Sequence, residues 1–134
     1  MPIPITGLYV GLTIILAIVL GMRIGMLRGK TRISILDGGN TEVALRMRHH
    51  GNLVETAALT LFAMGVIELN GASAILLHGL GLAYITSRIL HPIGLKADDV
   101  THPLRAIGAG ISTLVMLIAG LTALWQFYGA VSAS

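Results

Sequence analysis

Arg48-His49-His50-Gly51-Asn52-Leu53-Val54-Glu55-Thr56-Ala57-Ala58-Leu59-Thr60-Leu61-Phe62-Ala63-Met64-Gly65-Val66-Ile67 is the stretch that decides the fold. Charge crowds its opening. After Arg48, residues 49–67 carry one formal charge, at Glu55. About 20 residues of α-helix rise about 30 Å, the thickness of a hydrocarbon core. The stretch therefore reads as a membrane span whose charged end meets one face of the bilayer.

The rest of the chain repeats this arrangement. Residues 1–22, 69–87 and 106–134 carry no formal charge. The nine Lys and Arg fall into two groups, 23–48 and 88–105. Four spans follow, at about 4–27, 48–68, 72–91 and 104–127. They predict one all-α, integral membrane four-helix bundle over residues 1–134. Composition agrees, with 54% hydrophobic residues and 11% charged, against about a quarter charged in soluble domains. A soluble enzyme and a disordered chain are both excluded on these grounds. There is no Cys, hence no disulfide, no thiolate metal site and no cysteine nucleophile. The charge grouping also argues against nucleic acid as the partner of the basic residues.

An even number of spans places both termini on one side. Every positive charge then lies in or beside the two loops on the other side, which the positive-inside rule makes cytoplasmic. The termini and the Asn70-Gly71 turn are expected outside. Tyr9, Trp125 and Tyr128 are expected as interfacial aromatics near the outer ends of spans 1 and 4. No Lys or Arg precedes the first apolar run and Arg23 follows it, the wrong polarity for a cleaved signal. Asp37-Gly38-Gly39-Asn40 is a turn signal within the longest loop. Gly79, Gly81, Gly108, Gly110 and Gly120 read as small residues that let helices approach. No phosphate-binding loop is present, because Gly-x-Gly lies within apolar helices.

Three polar groups stand at membrane depth, where ionisable residues are costly and usually functional. Arg48, Asn52 and Glu55 are spaced i, i+4, i+7 and share a helical face. They read either as an internal Arg48–Glu55 contact or as a ligand site, and Glu55 is expected to face protein rather than lipid. His49 and His50 point about 100° apart and do not suit one metal ion. Tyr84, Arg88 and His91 share a face at the end of span 3. Their bland reading is an interfacial anchor reaching head groups, with Pro92 ending the helix. His78, in mid-span, reads as a hydrogen-bonded helix contact. Thr101-His102-Pro103-Leu104-Arg105 is a helix start that brings Arg105 to the same end. Several cations with one carboxylate and one amide suit a zwitterion with more than one carboxylate. Glutathione has that chemistry, and a lipid head group shares several of its terms.

The four-span length, Asp37-Gly38-Gly39-Asn40, Arg48-x-His50-x-Asn52-x-x-Glu55, Arg88-x-x-His91 and Pro103-x-Arg105 resemble the MAPEG family, the membrane-associated proteins in eicosanoid and glutathione metabolism. The resemblance covers essentially the whole chain, and the short loops are closest to bacterial members. It implies a homotrimer with glutathione bound between subunits near the cytoplasmic side. It matches Arg48, Asn52, Glu55 and His91 to glutathione-binding positions and Arg105 to the arginine that stabilises the thiolate. Arg28 matches the arginine at the end of helix 1, with Arg23 the competing candidate. Tyr84 and Arg88 are supporting residues, and no metal is implied. Four positions depart from tyrosines or a serine of the synthases: Thr56, Leu95, Ala106 and Ala109. They point away from prostaglandin synthase chemistry.

The leading expectation is a glutathione S-transferase or glutathione-dependent peroxidase of the bacterial inner membrane. Its second substrate would be a hydrophobic small molecule or lipid hydroperoxide entering from membrane lipid. The alternative is a non-catalytic membrane protein that binds lipid or a partner. A small multidrug transporter also has four spans, but it would want an acid deep in span 1 or an inverted repeat, and span 1 has no acid.

Overall fold

A computed structural model describes residues 2–99 and 101–132. The chain forms four helices, α1 (Pro4–Thr31), α2 (Thr41–Leu69), α3 (Ala74–Gly94) and α4 (Pro103–Ser132). All four are long and apolar enough to cross a membrane. No strand occurs among the described residues.

Local chemistry sets the helix ends. Asn40 caps α2, its Oδ1 accepting the N–H groups of Glu42 at 3.0 Å and Val43 at 3.1 Å. This cap starts α2 at Thr41, about two turns before the apolar run, because charged helix can project beyond the hydrocarbon. The expected turn precedes it. Asp37 Oδ1 accepts the Gly39 N–H at 3.1 Å, and Gly38 and Gly39 have φ of +56° and +76°. Ser73 caps α3 through the Leu76 N–H at 3.3 Å. Contrary to expectation, α3 continues through Pro92 to Gly94. Pro92 falls in the last turn, where its missing N–H affects one acceptor, and the Leu95 N–H closes the turn on His91 O at 2.9 Å.

Sequential helices run antiparallel. The α3–α4 and α1–α2 seams are the most extensive. α2 also packs on α3 and α4, and α1 on α3, whereas α1 and α4 do not meet among the described residues. Tyr9, Met64, Ile67, Leu77, Leu80, Tyr84, Val115 and Ala119 form the core.

Two of the five glycines noted above make close helix contacts. A Cβ on Gly81 would lie 2.2 Å from the Tyr9 ring, and one on Gly108 2.8 Å from His91 N. Gly79, Gly110 and Gly120 have nothing within 4 Å of that position among the described residues, so no other helix of the same chain packs on them there. Trp125 and Tyr128 are exposed near the end of α4. Tyr9 is instead buried, which corrects its expected place at the interface. Its hydroxyl lies 3.1 Å from His78 Nδ1 and donates to His78 O at 3.1 Å, so a partner inside the bundle replaces interfacial water. His78 is the interhelical contact expected of it.

Candidate functional site

The helix directions bring the C-terminal part of α1, the start of α2, the end of α3 and the start of α4 to one end of the bundle. All the Lys and Arg residues belong to these segments and their loops.

On α2, exposed Arg48 and Glu55 and half-buried Asn52 form one ridge. Arg48 Nη2 donates to Asn52 Oδ1 at 2.7 Å, and Nη1 donates to Glu55 Oε1 at 3.2 Å. The internal contact anticipated from their spacing is therefore formed. The Arg48 and Glu55 side chains are each 59% exposed. Within one chain the Glu55 side chain is thus exposed, because α2 turns this flank away from the other three helices. The ridge offers a guanidinium, a carboxylate and an amide to whatever lies beside it.

Beneath the ridge lies a second arginine with opposite character. Arg88 is 3% exposed. Its Nη1 donates to Asn52 O at 3.2 Å, and its Nη2 donates to Gly108 O at 2.8 Å and Ser112 Oγ at 2.6 Å. Its Nε donates to Ser87 Oγ at 3.2 Å. The planar fork is filled by neutral acceptors from α2, α3 and α4. Tyr84 is also fully buried, its hydroxyl 3.1 Å from Thr56 Oγ1 and donating to Leu53 O at 3.2 Å. The interfacial-anchor reading of Tyr84 and Arg88 is therefore wrong. Burial of these groups is tolerable because their donors are satisfied within the bundle.

Asn52 joins the two layers. Its side chain accepts from Arg48 on the ridge, while its carbonyl accepts from buried Arg88. His91 is buried beside this layer, within electrostatic reach of Arg88, Arg105, His49 and Arg48. Its Nδ1 has no partner among the described residues.

Arg105 is half-buried in the first turn of α4, its N–H bonded to His102 O at 3.1 Å. His102 begins the turn by accepting the Leu104 N–H on Nδ1 at 3.3 Å. The preceding loop is ordered by Asp99, whose Oδ1 accepts the Thr101 hydroxyl at 2.9 Å and N–H at 3.0 Å. The hydroxyl bond holds the Asp99 carboxyl below its ordinary pKa.

Arg28 is in the last turn of α1 and meets the start of α2 beside Arg48. It donates to Ser34 O at 2.9 Å and reaches Met47 Sδ at 3.3 Å. A recess of about 280 Å³ lined by Leu36, Asp37, Ala44, Met47 and Arg48 adjoins it. Toward the membrane, a more apolar groove of about 270 Å³ lies between α1 and α2, with Thr13, Ile14, Leu53, Val54 and Ala57 among its walls.

Sequence reasoning missed two positioning residues. His49 turns inward and its Nε2 lies 3.1 Å from Leu95 O, tying the loop after α3 to α2. His50 lies instead near Gly21 of α1. Glu68, at the opposite end, accepts the Ile5 N–H on Oε1 at 2.9 Å and the Thr6 N–H on Oε2 at 2.7 Å. Its signal was present: a lone acid at the otherwise uncharged end of span 2.

Comparisons with known proteins agree with this architecture. The "Inner membrane protein YecN" of Escherichia coli (strain K12) is 28% identical over 124 residues, covering 90% of this chain and 91% of its own length. The protein of the same name from Escherichia coli O6:H1 matches to the same extent. No solved structure gives a significant match. Residues 6–125 match the MAPEG family, and with the whole four-helix bundle inside or bordering that match, the chain belongs to the MAPEG family.

Proposed function

We propose that the chain is a glutathione S-transferase or glutathione-dependent peroxidase of the bacterial inner membrane, acting on apolar electrophiles or lipid hydroperoxides. The exposed Arg48–Asn52–Glu55 ridge is the observation that carries this reading. A charged pair on the flank of a membrane helix calls for a polar ligand or a protein neighbour, and a homotrimer would supply the neighbour. Arg48 then holds a glutathione carboxylate, Glu55 the ammonium, and Asn52 a peptide group. His91 and Arg28 complete the binding set, while Tyr84 and Arg88 hold the floor. The family resemblance and the inner-membrane name of the E. coli relatives support the location, and the charge grouping supports cytoplasmic loops with both termini outside.

Arg105 would supply the chemistry. A thiol is mostly protonated at neutral pH, and its thiolate is the nucleophile. A fixed guanidinium near sulfur favours the anion. The thiolate attacks an electrophilic carbon, forming a C–S bond as the leaving group departs. With a hydroperoxide, two glutathiones become the disulfide while the hydroperoxide becomes an alcohol and water. The α1–α2 groove is suited to the apolar partner.

Calorimetry with purified protein tests the reading. Wild type should bind glutathione, and Glu55→Ala should bind it at least tenfold more weakly, a loss of about 1.4 kcal/mol. Absence of glutathione binding would favour the alternative, a non-catalytic lipid- or partner-binding protein. One observation supports that alternative: Leu95, Ala106 and Ala109 offer no polar side chain at positions where the synthases carry hydroxyls.

A further inference from the structure

We propose that the groove between α1 and α3 binds an anionic membrane phospholipid, with its phosphate on Arg23 and an acyl chain along Leu16, Leu20 and Ile89. A recess of about 260 Å³ lies there, walled by Leu16, Val19, Leu20 and Arg23 of α1 and by Arg88, Ile89, Pro92 and Ile93 of α3.

The register of the two helices gives the recess a direction. α1 and α3 run parallel, fixed by Tyr9 against His78 and Gly81. Leu16 therefore marks the deep end of the groove, and Arg23, seven residues later, lies about 10 Å nearer the charged end. The cation sits at the mouth and the hydrocarbon walls lie beyond it. A phospholipid has the same order of phosphate and chain.

Arg23 is also the cation this site requires. Arg28, Arg46, Arg48 and Arg88 each donate to a protein acceptor. The Arg23 guanidinium is exposed and makes no hydrogen bond or ion pair among the described residues; only its carbonyl is engaged, by Arg46 Nη1 at 3.1 Å. No carboxylate lines the recess. An unpaired arginine within a membrane helix is costly unless water or an anion meets it. Basic pockets between helices near a membrane face meet that need with anionic head groups. A second copy of the chain is the poorer occupant, because a helix about 10 Å across does not enter a recess this small. The recess takes no wall from α2, and the proposal does not need glutathione to bind, although buried Arg88 borders both places.

The test is native mass spectrometry of the purified full chain, titrated separately with phosphatidylglycerol, phosphatidylcholine and oleate. Wild type should retain phosphatidylglycerol over phosphatidylcholine. Arg23→Gln should reduce that retention about fivefold, whereas Arg32→Gln, at an exposed residue after α1, should not. Val19→Trp is the second variant. Val19 also lines the recess and is 47% exposed, so the larger ring obstructs the chain without entering the core. It should lower retention while leaving Arg23 intact. Equal retention of both phospholipids, or undiminished retention in either Arg23→Gln or Val19→Trp, would overturn the proposal. Tighter binding of oleate than phosphatidylglycerol would make this a carboxylate site and also overturn it. So would a disulfide between copies in Val19→Cys membranes, which would show the face covered by protein.

Discussion

A Cβ on Gly94 would stand 2.2 Å from the backbone nitrogen of Arg105 and 2.7 Å from the carbonyl carbon of Leu104. Both obstacles are backbone, so no side chain can rotate away. The end of α3 and the start of α4 touch there because one residue has no side chain. Gly108 repeats the device against His91, at the matching antiparallel position.

Gly94→Ala should therefore force the helix ends apart, at a cost of about 1–3 kcal/mol. It should move Arg105 as well. Gly110→Ala is the control, because nothing lies within 4 Å of its added methyl. That change should be neutral or slightly stabilising through helix propensity. Thermal unfolding in detergent of the two variants checks the contrast.

Arg88→Leu should destabilise the bundle by about 2–3 kcal/mol. Hydrogen bonds from a charged donor are worth about 1.5–3 kcal/mol net, and several buried acceptors lose theirs together. Arg88→Lys should recover only part, because an ammonium cannot span Asn52 O, Gly108 O and Ser112 Oγ at once. Denaturant unfolding of both variants measures this. Equal stability of Arg88→Lys and wild type would mean that charge, not the fork, is what the site needs.

Arg105→Ala should slow conjugation more than it weakens glutathione binding. Stabilising a thiolate by two pKa units corresponds to about 2.7 kcal/mol, roughly 100-fold in thiolate fraction. Arg105→Lys should restore activity in part. Turnover with a small aromatic electrophile, followed with thiolate ultraviolet absorbance, makes the comparison. Full activity in Arg105→Ala would remove this residue from the chemistry.

Glu68→Ala should loosen the start of α1, which loses acceptors for two N–H groups and a favourable charge at its N-terminus. The expected cost is about 1–2 kcal/mol. Glu68→Gln, which keeps one carbonyl acceptor, should cost less. Hydrogen exchange at the Thr6 amide reads the effect locally.

Acid should act on the α3–α4 loop through Asp99. Its folded pKa is depressed, so its contribution is fully present above the ordinary carboxylate value and is lost as pH falls through the depressed one. The Thr101 amide protection factor should hold steady from neutral pH down to about 4 and decline below that. Asp99→Ala should abolish the pH dependence.

Four apolar segments and one charged end were legible because charge is expensive in hydrocarbon wherever it points. Which face of each helix turns inward was not legible. In lipid the outside of a bundle is as apolar as its inside, so periodicity does not distinguish them. From sequence, Tyr9, Tyr84 and Arg88 point toward the interface for that reason, although each turns into the bundle. The Arg48–Asn52–Glu55 ridge was legible from spacing alone, since i, i+4, i+7 residues align whatever surrounds the helix. The acceptors that satisfy Arg88 were not, because two are carbonyls supplied by other helices.

Because α1 and α4 do not meet among the described residues, the two helices stand like the arms of a caliper. Arg28 rides on one arm and Arg105 on the other. Their separation is set only through α2 and α3. A tilt of α1 would change the gap between the two cations, whereas the close backbone contacts at Gly94 and Gly108 tie α4 to α3.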